Sequence, residues 1–91
     1  METQEVSKKY DYAESASQVK SALRKAFGEN ATLVTNEGYN GRIHLKVVSE
    51  RFNGMNGSER QQYVWDAIQD ELDTKMREAI SLVLCYSTDE L

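Results

Sequence analysis

Apolar positions recur along this chain with two different periods, and the switch between them marks out the elements. Ala16, Val19, Leu23 and Phe27 fall three to four residues apart, which predicts a helix from about Ala13 with one apolar face. Ser15 or Ser17 stands near its start, Lys20, Arg24 and Lys25 lie off the apolar face, and Gly28 follows as a stop. Ala31 to Gly38 (ATLVTNEG) has β-branched residues and then turn formers, which predicts a strand and a loop. Glu37 to Gly41 is a tip holding two glycines. Arg42 to Ser49 then alternates with period two: Ile43, Leu45 and Val47 on one side, Arg42, His44 and Lys46 on the other. A strand with one apolar and one basic face fits a sheet that helices cover on one side only.

Ser49 to Phe52 reads as a single helical turn with Phe52 as core anchor. Asn53-Gly-Met-Asn-Gly57 must be a loop, since two glycines and two asparagines in five residues defeat regular structure. Ser58 and Gln61 form a capping-box pattern that predicts the start of a long helix. Its apolar stripe is Val64, Trp65, Ile68 and Leu72, its opposite face carries Asp66, Asp70 and Asp73, and Tyr63 lies off the stripe as an exposed contact residue. Lys75 to Glu78 reads as a connector. Ala79 to Tyr86 (AISLVLCY) is the most apolar run and predicts a buried strand, and Ser87 to Glu90 is a second capping pattern for a short terminal helix. Residues 1–12 read as a flexible tail in which Lys8 and Lys9 are solvated, and 13–91 as one domain of order α-β-β-α-α-β-α.

Composition narrows the function classes. With 15 acids against 11 basic residues the net charge is −4, which disfavours a general polyanion binder. No apolar run approaches the ~18–20 residues of a membrane span, and no apolar signal segment is evident, so a cytoplasmic location is expected. Cys85 is the single cysteine, which excludes an internal disulfide and a multi-cysteine metal site. With no proline, the turns fall to glycine and asparagine.

Three candidate sites emerge. Arg42, His44 and Lys46 share one strand face and make a surface for a partner, although a solvated outer face requires no partner. Gly54-Met55-Asn56-Gly57 is a G-x-x-G loop between two predicted helices, flanked by Arg51 and Arg60; such loops clamp nucleotide backbones in KH domains and equally serve as plain turns. His44 and Cys85 have the donor types that ligate iron–sulfur iron, yet a lone strand histidine usually faces solvent and a lone apolar-strand cysteine usually packs as a small hydrophobe. Alternation alone leaves open whether these two share a face. The sequence offers neither a Ser/His/Asp set nor a Walker loop, so no enzymatic activity is expected.

The order of elements resembles the BolA family over about Ala16 to Glu90. The most specific piece is VVS-x-x-F-x-G, here Val47, Val48, Ser49, Phe52 and Gly54, supported by Arg60, Val64-Trp65 and the Ala79-Ile80-Ser81-Leu82 strand start. The resemblance implies an α/β fold similar to the class II KH domain, a three-stranded mixed sheet with helices on one face. It further implies a small regulatory adaptor whose partner is a monothiol glutaredoxin, with which family members share a [2Fe–2S] cluster. Glu78 stands where the family has its ligand histidine, Gln61 replaces the helix histidine, and Arg42 falls near the third ligand position, so no cofactor or metal is expected here. The expected partner-binding set is Arg42, His44, Lys46 and Glu78. The alternative is single-stranded RNA or DNA on Arg51, Gly54, Met55, Asn56, Gly57 and Arg60.

Overall fold

The structure, a computed structural model, describes residues 9–90. Its elements run α1 (Tyr12–Phe27), β1 (Thr32–Glu37), β2 (Ile43–Val48), α2 (Gly57–Glu71), α3 (Thr74–Ala79) and β3 (Ile80–Tyr86). Single 3₁₀ turns lie at Tyr39–Gly41, Glu50–Phe52 and Thr88–Glu90. The sheet has order β1-β2-β3, with β1 antiparallel and β3 parallel to β2, the mixed sheet expected.

The helical period of α1 translates directly into packing. Ala16, Val19, Leu23 and Phe27 are all buried, and Gly28 ends the helix at a φ of 83°, a left-handed conformation that glycine adopts without penalty. The Arg24 guanidinium reaches forward to the carbonyls of Gly28 and Ala31, tying the end of α1 to the connection that leads into β1. The helix begins at Tyr12, within a residue of the expected start. Asp11 is the N-cap, its carboxylate accepting from the Glu14 N–H, so Ser15 is an interior buried residue and not the cap.

Of the expected tail, residues 1–8, including Lys8, lie outside the described residues. Tyr10 to Tyr12 belong to the folded unit. Tyr10 is buried and its N–H donates to Asn40 O, while the Tyr12 hydroxyl donates to Thr35 Oγ1.

Helices cover the face of the sheet that carries Leu33, Ile43, Leu45, Val47 and Val83. Phe52 is fully enclosed, as its anchoring role requires, and meets Phe27 edge-on at a centroid distance of 5.6 Å. Tyr63 is no exposed contact residue. Its ring packs on Phe27 and Phe52, and its hydroxyl accepts from Arg51. Trp65 is only half-buried at the margin of the core, while Val64 and Ile68 carry the stripe.

Two helix starts differ from the sequence reading. The capping box of α2 is Asn56 with Glu59, not Ser58 with Gln61: the Asn56 side chain accepts from Glu59 N–H while the Glu59 carboxylate accepts from Asn56 N–H. The supposed connector is α3, capped by Asp73 and too short to show a full apolar period.

β3 is an edge strand, and its outer residues are exposed. A register shift beside His44 leaves Ser81 as an extra residue, so Ile80 and Val83 both face the helices although three positions apart. Leu82, Leu84 and Tyr86 therefore point away from the core.

Candidate interaction surface

The uncovered face of the sheet consists of three cross-strand rows. Asn36, His44 and Leu82 form the first; Val34, Lys46 and Leu84 the second; Thr32, Val48 and Tyr86 the third. Two of the expected partner-binding residues, His44 and Lys46, occupy the middle of this face. His44 is held against the chain at Gly38, where an added Cβ would come within 2.5 Å of Nε2. The Lys46 ammonium lies 5.5 Å from the centroid of the Tyr86 ring, close enough for a cation–π attraction.

Leu82, Leu84, Val34 and Tyr86 are exposed by 43%, 42%, 37% and 36%. These neighbours were not legible in the sequence. AISLVLCY is apolar at both parities, so nothing in the run distinguishes its buried side from its open one.

Arg42 and Glu78 come to one end of the sheet. The pairing of Ile43 with Ile80 sets the starts of the parallel strands side by side, and Arg42 and Glu78 stand just before them. The Arg42 guanidinium lies 5.6 Å from the Tyr10 ring centroid, and Glu78 is an exposed residue of the last turn of α3.

The loop candidate is differently built. Gly54 takes a φ of 84°, Met55 N–H donates to Phe52 O, Asn56 is the helix cap and Gly57 is already the first residue of α2. Its flanking arginines are engaged. Arg51 donates to Ala26 O at 2.9 Å and to the Tyr63 hydroxyl at 2.8 Å. Arg60 donates to Met55 O and to the Glu90 carboxylate, and reaches Cys85 O at 3.5 Å. The Glu59 carboxylate stands at the helix N-terminus where a phosphate would have to approach.

Cys85 pairs in register with Val47, a core-facing residue, whereas His44 lies on the uncovered face. The two candidate ligands therefore sit on opposite faces of the sheet. Burial pushes the Cys85 thiol above its ordinary value, with nearby Arg60 acting more weakly in the other direction. Gln61 Nε2 lies 3.8 Å from Cys85 Sγ and donates to Val83 O at 2.8 Å.

No family model and no curated protein matches this chain. Among solved structures, it is similar to BolA1 from Arabidopsis thaliana, with a TM-score of 0.67 and 24% identity over 85% of this chain and 95% of that one. The fold is BolA-like.

In a BolA-like frame the residues at the expected ligand positions are Arg42, Gln61 and Glu78. A guanidinium and an amide are not ligands for iron, and one carboxylate is a poor match for iron–sulfur chemistry, which takes thiolate and imidazole. Cys85 and His44 cannot replace them, being on opposite faces. The donor set does not fit a [2Fe–2S] cluster. Among the described residues no group of three or more His, Cys, Asp or Glu could hold a metal ion, and no helix is long and apolar enough to cross a membrane.

Proposed function

We propose that this chain is a small, non-enzymatic, cytoplasmic regulator of the BolA kind that acts by binding a protein partner. By family resemblance the partner is a monothiol glutaredoxin, in iron–sulfur or redox regulation, and the contact is made without a shared cluster. The observation that carries this reading is the juxtaposition of Arg42 and Glu78 at the starts of the parallel strands β2 and β3, beside the open face bearing His44 and Lys46. A cation and a carboxylate at those positions can form ion pairs with a partner and are poorly suited to bridging it through an iron–sulfur cluster, which takes thiolate and imidazole. The geometry does not favour single-stranded nucleic acid, because Arg51 and Arg60 already hold internal partners and Glu59 occupies the helix start.

The test is an amide NMR titration of labelled protein with the cognate monothiol glutaredoxin, once as apoprotein and once loaded with its cluster. The expected result is a set of shifts spanning Arg42 to Lys46 and Glu78 to Leu82 in both titrations, with the visible spectrum of the loaded glutaredoxin unchanged. Resonances that do not move with either form would remove the glutaredoxin reading. A changed visible spectrum would overturn the apo-type contact.

A further inference from the structure

We infer that the uncovered sheet face is a docking surface for a protein whose own contact surface is apolar at its centre and carboxylate-bearing at its margin. The nine positions of the three rows hold no carboxylate, although the whole chain carries 15 acids against 11 basic residues. The β3 side of the face is apolar and open, through Leu82, Leu84 and Tyr86. Beside that stripe, the Lys46 side-chain nitrogen lies 5.5 Å from the centroid of the Tyr86 ring. An apolar stripe bordered by a cation is complementary to an apolar surface bordered by acids.

The partner lies on the face and does not extend the sheet at β3. The carbonyls of Val83 and Cys85 on β3 accept from the side chains of Gln61 and Arg60, so α2 already occupies part of the backbone that an added strand would need. A second copy centred on this face fits poorly, since a two-fold axis through the middle of its central row would bring the two Lys46 ammonium groups together. Nucleic acid fits poorly as well, because one lysine and one histidine among nine positions release few counterions. The inference concerns the chemistry of the partner and is independent of its being a glutaredoxin.

The test uses two synthetic amphipathic helical peptides with the same leucine face, one flanked by glutamates and the other by lysines. Each is titrated into labelled protein and followed by amide NMR. The acidic peptide is expected to shift Val34, Lys46, Leu82 and Leu84 and to bind at least about tenfold more tightly than the basic one, with the preference shrinking as salt rises. Lys46→Glu should reverse the preference and Leu84→Glu should abolish binding, while thermal melts of both stay close to wild type. Equal affinity for the two peptides, binding elsewhere or no binding would overturn the inference. So would shifts on this face that grow with protein concentration alone, which would assign it to a second copy. These outcomes leave the glutaredoxin titration free to succeed or fail separately.

Discussion

The Arg60 guanidinium and the Glu90 carboxylate, 30 residues apart in sequence, meet at 2.6 Å between Nη1 and Oε1. Glu90 also accepts the Ser87 N–H at 2.7 Å, and Arg60 donates to Met55 O at 2.9 Å. One arginine thus joins the loop before α2 to the turn after β3.

That clasp has a pH signature. The Ser87 N–H, then the Arg60 side chain, hold the Glu90 carboxyl below its ordinary value. The folded state therefore binds this proton less readily than the unfolded chain. The clasp contributes stability above the ordinary glutamate value and loses it as pH falls through the lowered folded value. Glu90→Gln should be less stable than wild type at neutral pH, and the gap should close on acidification. Urea denaturation across that range measures it; a gap independent of pH would contradict the assignment.

The position of the α2 cap separates two overlapping sequence patterns. Asn56→Ala removes the acceptor for Glu59 N–H and should cost about 1 kcal/mol, whereas Ser58→Ala lies inside the helix and should be close to neutral. Chemical denaturation of the two variants decides between them. The reverse ranking would return the cap to Ser58.

Cys85 should behave as a packed thiol. Its raised pKa keeps it protonated at neutral pH, so alkylation by iodoacetamide should be slower than for an unstructured cysteine peptide and should accelerate only above the ordinary thiol range. Gln61→Ala removes the side chain that lies 3.8 Å from the sulfur, and should speed the reaction. A rate in the folded protein equal to that of the peptide would show that the thiol is open.

Gly57 offers a clean probe of the loop. A Cβ there would meet nothing within 4 Å, and an acid at the first position of a helix is favourable to its dipole. Gly57→Asp should therefore melt within about 0.5 kcal/mol of wild type. With the fold intact, salt-sensitive binding of single-stranded RNA that disappears in this variant would establish the loop as a nucleic-acid site. The expected result is no difference between the two proteins, because Arg51 and Arg60 are held internally.

The sequence by itself determined the elements whose apolar period is single-valued. The face of α1 follows from Ala16, Val19, Leu23 and Phe27, that of β2 from Ile43, Leu45 and Val47, and the enclosure of Phe52 from its place in the turn between β2 and α2. Three further matters rested on tertiary structure. The loop ending in Asn56 and Ser58 contains two overlapping cap patterns, and the path of the chain through Gly54 and the Met55–Phe52 hydrogen bond selects the first. β3 is apolar at both parities, and only its edge position and the extra residue at Ser81 decide which side meets the helices. His44 and Cys85 lie on different strands, and their separation by the sheet depends on the parallel register of β2 with β3. A periodic pattern reports which side of an element seeks the core; register and edge position are relations between elements, which only the folded chain fixes.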